Sequence, residues 1–430
     1  MNNTNAYLIK NGQVIDPSTG TNQVMDVLIE GGKVIQLAEN ISNNADVPII
    51  DASNMIVCPG LVDLCHHLRE PGKKHKGTIA SETYAAVSGG VTTICCPPDT
   101  SPIIDNKAVI KLIRVAEQEK SYINIHLMGA LTKGLEGKEL SQMNTLMNSG
   151  CVGVTNLLEP ITDTLVMRRA MEYALTQGIT VHLYPQDYWL SRNGCAHDGA
   201  VSARLGLSGI PESAETIALL RDLELVELTG VKAHFSHISS AKGIDIIRQA
   251  KQRGLDITAD VTINHLHLTE MDIGFFQSDC HCIPPFRTQR DKDALIAGIQ
   301  DDTIDVIVSD HQSHDADAKL APFPETEPGL SSTETYLALA CKLTEITTIS
   351  IDKILSKLTC EPAKILGLKA GTLAKDSNAD ICIFDLNSPW SVDKKQLLSV
   401  GKNTPFHGWE LSTKVKYTFV DGRCVYQQAK

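Results

Sequence analysis

The chain lacks the features that would send it to a membrane, a nucleic acid or an oxidising compartment. No apolar run approaches the roughly 20 residues of a membrane-spanning helix. Basic residues are outnumbered, 39 Lys and Arg against 51 Asp and Glu, and the net charge of −12 argues against nucleic acid or an anionic membrane as partner. The opening residues, Met1-Asn2-Asn3-Thr4-Asn5, have neither the basic segment nor the apolar stretch of a signal peptide. Twelve cysteines are present, yet none falls in a paired C-x-x-C spacing. Cys95 and Cys96 adjoin, and Cys280-His281-Cys282 looks like half of a metal knuckle with no second half. The expectation is reduced, buried thiols in the cytoplasm. There is no P-loop and no G-x-G-x-x-G after a first strand, so nothing favours nucleotide binding. Aromatic residues are few, at 5%, while 42% of the chain is hydrophobic, enough for a large core.

What is present is alternation. Strand-like runs at residues 91–94, 123–127, 153–154, 179–183, 232–236, 256–261 and 304–309 are separated by helical stretches at 79–88, 107–119, 163–177, 214–229 and 243–253. β/α alternation over some 300 residues means a parallel sheet. The count fits a (β/α)8 barrel, a TIM barrel, with its site at the C-terminal ends of the strands; an open doubly wound sheet is the other arrangement. Both ends of the chain read instead as short strands joined by turns, with Asn11-Gly12, Gly31-Gly32 and Asp421-Gly422 as hairpin signals. Residues 1–56 and 372–430 are therefore expected to build one small β-sandwich domain, and residues 57–371 the barrel.

The stretch that organises the chemistry is Val62-Asp63-Leu64-Cys65-His66-His67-Leu68-Arg69-Glu70-Pro71. It follows the apolar run Met55-Ile56-Val57 and is read as the end of a buried strand. Side chains alternate along a strand, so Cys65 and His67 point one way and His66 the other. Cys can bind zinc as thiolate; the other reading is a small buried thiol beside a hydrogen-bonded histidine.

Several further motifs keep one order along the chain. They are Pro59-Gly60-Leu61-Val62-Asp63, His67-Leu68-Arg69-Glu70-Pro71-Gly72, Gly89-Gly90-Val91-Thr92-Thr93 and Leu205-Gly206-Leu207-Ser208-Gly209-Ile210-Pro211. Pro284-Pro285-Phe286-Arg287, Val308-Ser309-Asp310-His311 and Asn403-Thr404-Pro405-Phe406-His407-Gly408 complete the set. With them the chain resembles the bacterial dihydroorotases of the amidohydrolase superfamily over nearly its whole length. The resemblance implies a metal-bearing (β/α)8 barrel with a small β domain from both termini. It also implies a zinc centre built from a His-x-His pair, a bridging carboxylated Lys or Asp, two later His residues and a final Asp that acts as base.

Matched position by position, the resemblance is broken at the centre. His67, His237 and Asp310 remain as residual metal and base positions. Cys65 stands at the first His, Thr155 or Asn156 at the bridging position and Tyr184 at the next His; His182 lies two residues earlier, one layer deeper. Arg69, which in the family grips the substrate carboxylate, survives. Asp99, in Pro97-Pro98-Asp99-Thr100, replaces an Asn and sets a negative charge where an anionic substrate would rest. His314 sits at an altered substrate position in Asp310-His311-Gln312-Ser313-His314.

The expectation is a dead site with no metal and no cofactor. It is held in a non-catalytic dihydroorotase-like protein that, as some family members do, supports assembly of the aspartate transcarbamoylase catalytic subunit as part of an oligomer. The alternative is an active zinc enzyme interconverting N-carbamoyl-L-aspartate and dihydroorotate through one metal. It would use Asp310 as base, with Cys65, His67 and His237 as ligands. His265 and His267, at metal-pair spacing, match a family loop. Lys73-Lys74-His75-Lys76 is expected to be a solvated basic loop.

Overall fold

The computed structural model describes residues 6–43 and 47–429; the opening pentapeptide read above lies outside them. Eight parallel strands form the barrel: Leu61–Asp63, Val91–Cys96, Asn124–Ala130, Cys151–Thr155, Val181–Leu183, Ala233–Phe235, Ile257–Thr262 and Val306–Val308. Each pairs in parallel with the next along the chain. Apolar residues on both strand faces, as in Val91-Thr92-Thr93-Ile94-Cys95-Cys96, suit a sheet buried from inside and out. Helices flank the strands on the outside. Among them, Ile79–Ser88 begins at a Thr78 capping box, and Asn106, Asp163 and Ser240 cap the helices Lys107–Lys120, Thr164–Thr176 and Ala241–Gln252. A side-chain oxygen at each start satisfies backbone N–H groups that the helix leaves free.

The barrel has a seam. Its first and eighth strands do not pair along their bodies; they meet only at the mouth, where His66–His67 pairs with His311–Gln312. Below that point the seam is held by Asp63, which accepts hydrogen bonds from the backbone N–H and hydroxyl of Ser309.

Both chain ends contribute to the small domain, one hydrogen-bonded sheet. It comprises Ala6–Asp16, Thr21–Glu30, Lys33–Ala38, Ile49–Asp51 and Ile56–Pro59 from the front, with Ile381–Asp385, Lys414–Val420 and Arg423–Gln427 from the back. Its core includes Ile9, Val27, Ile29, Val57, Ile381, Ile383 and Phe419.

Two local expectations are corrected. The apolar run at 55–57 leads into a small-domain strand, Ile56–Pro59, paired with residues 13–14 and 381–384. The barrel therefore starts after Gly60, where a Cβ would lie 2.2 Å from Thr92. Asn11-Gly12 is not a hairpin turn but a bulge inside one long strand, with Asn11 at φ 60°. Gly12 is needed for space, since a Cβ there would meet Val57 at 2.5 Å; the chain reverses later, at residues 17–20. Among the described residues, no helix is long and apolar enough to cross a membrane.

Candidate metal centre and its surroundings

The first strand, the sixth strand and the eighth strand end at one point inside the mouth, and each delivers a donor there. Cys65 Sγ lies 3.7 Å from Asp310 Oδ1 and 3.8 Å from His67 Nε2. His67 Nε2 and His237 Nε2 each lie 3.7 Å from the same Asp310 oxygen. Cys65, His237 and Asp310 are all buried, and their donor atoms lie within 4.8 Å of one another. His237 and Asp310 stand at φ 59° and 46°, and Arg69 beside them at 63°. Such backbone is costly for residues with a Cβ and persists where the surroundings impose it.

Each histidine is aimed by a carboxylate behind it. His67 Nδ1 donates to Asp99 at 2.7 Å. His237 Nδ1 and its backbone N–H donate to one oxygen of Asp260, at 2.9 and 2.7 Å, while His234 Nε2 donates to the other at 2.8 Å. Such partners fix the ring and direct its second nitrogen inward. Burial works against charge on His237, but Asp260 and Asp310 outweigh it and lift its pKa to about 9. Burial likewise opposes charge on His67, and Asp99 with Asp310 overcomes it, raising the imidazole. Burial would raise Asp310 too, yet the facing histidines and Gln312 hold it low. Burial, then Asp310 and Asp63, push the Cys65 thiol well above its ordinary range.

The remaining positions are closed by contacts within the chain. Asn156 accepts from the backbone N–H and hydroxyl of Thr132 and donates to the carbonyls of Leu135 and Glu159. Thr155 accepts from the backbone N–H of Leu157. Neither offers a carboxylate to bridge two ions. Tyr184 packs its ring edge-on against His237, centroids 6.0 Å apart, and its buried hydroxyl has no hydrogen-bond partner. The cavity bounded by Tyr184, His237, Glu215 and Arg287 measures about 10 Å³, the room of a single water. His182 is one layer down, its ring tilted against that of His234 with centroids 4.9 Å apart.

Arg69 is likewise engaged. Its Nε donates to the Ser313 carbonyl at 3.1 Å, one Nη lies 3.2 Å from His314 Nε2, and the other lies 3.6 Å from Asp99. Asp99 is thus a partner of His67 and Arg69 within the chain; burial is overcome by their charges and its pKa falls to about 2. His314 Nε2 donates to the Pro328 carbonyl.

The secondary motifs resolve as structure. His265 lies 2.7 Å from the Thr262 hydroxyl and 3.2 Å from the Pro284 carbonyl, and His267 donates to Leu339. Cys280 and Cys282 are buried free thiols. The basic loop is not wholly solvated: Lys76 is buried against Glu327 and His314, because its neighbours come from a segment 250 residues away. Two residues that sequence reasoning passed over matter most to the geometry. Asp260 sits in a run read only as a strand, although an acid there must face the interior. Gln312 joins Asp310 at 3.1 Å to Arg69 at 3.5 Å.

The donor set fits one metal ion and does not fit two. A thiol, an imidazole and a carboxylate suit a zinc-like ion, and His237 Nε2 is buried with no hydrogen-bond partner. A pair of ions would need an anion between them, and Asn156 and Thr155 supply none.

Comparison with known proteins agrees with this architecture. The family model described as dihydro-orotase-like matches residues 54–243, and that of the amidohydrolase family matches residues 231–426. A protein of Pseudomonas putida named dihydroorotase-like protein is 45% identical over 96% of this chain and 97% of its own. One of the same name in Pseudomonas aeruginosa is 42% identical over 97% and 99%. A Geobacter metallireducens protein named dihydroorotase is 40% identical over 98% and 99%. Among solved structures, the L-hydantoinase of Arthrobacter aurescens superposes with a TM-score of 0.88 at 22% identity, over 99% of this chain and 96% of that one; this likeness speaks for the fold. By these matches, and by a barrel whose mouth gathers Cys65, His67, His237 and Asp310, the chain belongs to the dihydroorotase-like family of the amidohydrolase superfamily.

Proposed function

We propose that this protein is a non-catalytic dihydroorotase-like subunit, a scaffold that supports assembly of aspartate transcarbamoylase in cytoplasmic pyrimidine biosynthesis. The observation that carries the first half is that the groups a dihydroorotase would turn toward substrate are engaged with one another. Arg69 donates to the Ser313 carbonyl, lies against His314 and faces Asp99. Tyr184 fills the next histidine's place, and the neighbouring cavity measures about 10 Å³. Asp310 faces two histidines whose charge holds it low, which makes it a poor proton acceptor near neutral pH. No group at 155–156 can bridge two ions.

The intact scaffold supports the second half. Barrel, seam, caps and small domain are all complete, so the departures concentrate at the site. The partner, the aspartate transcarbamoylase catalytic subunit, comes from the family resemblance, as does assembly into an oligomer. The two relatives named dihydroorotase-like protein are the nearer in identity of those compared, which favours the same reading.

A second reading rests on one observation, the convergence of Cys65, His237 and Asp310. It is an active enzyme on a cyclic amide using one zinc ion. In that reading the three residues and His67 would hold the metal, whose chemistry would be to activate water. Asp310 would serve as base, and Asp260 would keep His237 oriented.

The deciding experiment has two arms. Purified protein supplemented with zinc is assayed at high concentration for dihydroorotate hydrolysis, and tagged protein is tested for co-purification with the aspartate transcarbamoylase catalytic chain. No turnover together with a stable complex is the expected result. Turnover abolished by Asp310→Ala overturns the non-catalytic reading, and absence of association overturns the partner.

A further inference from the structure

The helices that follow the fourth and fifth barrel strands carry apolar side chains outward as well as inward. The helix Glu212–Thr229 buries Ala218, Leu219, Leu223 and Val226. Its opposite side shows Ile217, Leu220 and Leu228, which are 49, 52 and 63% exposed. With Glu224 these positions recur at helical spacing and form one stripe. A helix that is apolar on both sides is ordinarily covered on both.

Its neighbours extend the stripe. The Asp187 backbone N–H donates to the Ala214 carbonyl at 2.7 Å, which sets the short helix Tyr188–Ser191 beside it and leaves Trp189 69% exposed. About two turns further along, Arg221 donates to the Ile161 carbonyl at 2.9 Å. The helix Thr164–Thr176 that follows presents Leu165, also exposed. The next two helices around the barrel, Ala241–Gln252 and Gln289–Gln300, expose no large apolar side chain among the described residues, so the patch is local.

Its charges say what fits it. Arg168 and Arg169 are exposed on Thr164–Thr176, and Glu224 and Glu227 on Glu212–Thr229. Arg168 pairs with Glu172, and Glu227 with Arg253. Among the described residues, Arg169 and Glu224 have no ion-pair partner. One helix thus brings unpaired positive charge and its neighbour unpaired negative charge. Such a face is complementary to itself, because a two-fold rotation sets the basic helix of one copy against the acidic helix of the other. The size agrees. An 18-residue helix is about 27 Å long. Two helices about 10 Å apart, with the Trp189 turn added, offer about 700 Å², near the roughly 800 Å² per partner of a standard interface.

We propose that this face binds a second copy of the chain in a two-fold dimer that buries Trp189, Ile217 and Leu220 and sets Arg169 of each copy against Glu224 of the other. Strands four and five lie across the barrel from the seam between the first and eighth. The dimer therefore leaves the seam side free for a different partner, and it forms whether or not the mouth turns over a substrate.

The test is sedimentation equilibrium of the full-length protein at low micromolar concentration. Expected is twice the 46.7 kDa chain mass, or a higher even multiple if other faces also assemble. Ile217→Glu combined with Leu220→Glu should halve that mass. Leu112→Glu, 51% exposed on the helix Lys107–Lys120 outside the face, should leave it unchanged. Arg169→Glu and Glu224→Arg should each weaken association about tenfold or more, and the two together should restore it. Circular dichroism checks that each variant is folded; if the paired apolar variant is not, the charge exchange at exposed residues carries the test. A monomer or an odd multiple overturns the proposal, including the case in which the face binds only a different protein. So does a mass that survives the paired apolar variant in folded form, or a double charge exchange that associates no better than its single parts.

Discussion

Glu82 offers the most direct test of how the seam and mouth are held. It lies on the helix Ile79–Ser88, fully buried, and its carboxylate serves three segments. It accepts from His311 Nε2 at 2.8 Å, from the Ser399 hydroxyl at 2.6 Å and the Val400 backbone N–H at 3.2 Å, and from Ser81 at 2.8 Å. His311 Nδ1 in turn accepts from the backbone N–H groups of Ser332 and Thr333. Glu82→Ala would leave donors from His311 and the 399–400 segment buried and unpaired. Each buried donor left without its acceptor costs about 1–3 kcal/mol, and with three such donors and partial relaxation the loss should be about 3–5 kcal/mol. Glu82→Gln keeps the shape but turns an N–H toward a donor, and should cost about half of that.

The carboxylate also carries a pH signature. Burial opposes its charge, but His311, Ser399 and Ser81 overcome it and lower its pKa from 4.5 to about 2. A depressed acid stabilises the fold above its unfolded pKa and loses that contribution as pH falls through the folded one. The difference between the parent and Glu82→Gln should therefore be constant near pH 7 and shrink below pH 5. The shift corresponds to about 3 kcal/mol in full, of which somewhat under half should be gone by pH 3.5. Urea unfolding followed by far-ultraviolet circular dichroism at pH 7, 5 and 3.5 measures this, with the slope compared between variants. A cost under about 1 kcal/mol for Glu82→Ala, or a parent-to-variant difference that does not narrow on acidification, refutes the reasoning.

Three further outcomes are expected. Tyr184→Phe removes a buried hydroxyl that has no partner, so it should stabilise the protein by up to about 1 kcal/mol in urea; a loss of that size would reveal a partner for the hydroxyl. Asn156→Ala deletes four hydrogen bonds and should cost about 2–4 kcal/mol, with proteolysis rising first around residues 132–159. Asp99→Asn takes away the charge that outweighs burial at His67, so in metal-free protein the His67 imidazole should titrate at lower pH by NMR, and an unchanged titration would show that Asp99 is not its main partner.

How far the sequence spoke depended on the range of the interaction. Runs such as Val306-Ile307-Val308 are apolar on both faces, and that local fact marks a barrel strand. The spans expected at 79–88 and 107–119 agree with Ile79–Ser88 and Lys107–Lys120, whose starts are fixed locally by Thr78 and Asn106, whereas the helix expected from 243 begins at Ala241. Asn11-Gly12 misled because the same dipeptide serves a turn or a close approach, and Val57, which decides between them, is 45 residues away. Lys76 looked solvated because Glu327 and His314 belong to another loop. At the site, alternation placed Cys65 and His67 on one side of their strand. The pairing of Asp99 with His67, the clasp of Arg69 by residues 312–314, and Asp260 behind His237 are tertiary, and no spacing announces them.

These tertiary pairings bear on how the site lost its family pattern. A histidine pair, a bridging anion and an open arginine form a site that a metal and a substrate complete. Removing the bridging anion leaves buried polar atoms that must find other partners, since an unsatisfied buried group costs about 1–3 kcal/mol. In this chain most have found them: Asp99 meets both His67 and Arg69, Asn156 ties down the loop that follows its strand, and Tyr184 fills the space beside His237. The repair is local and serves packing more than pairing: His237 Nε2 and the hydroxyls of Tyr184 and Ser313 stay buried without a hydrogen-bond partner, while Asn156, Tyr184 and Arg69 each fill their place with contacts inside the chain. A closed, packed mouth holds the barrel together whether or not it turns anything over.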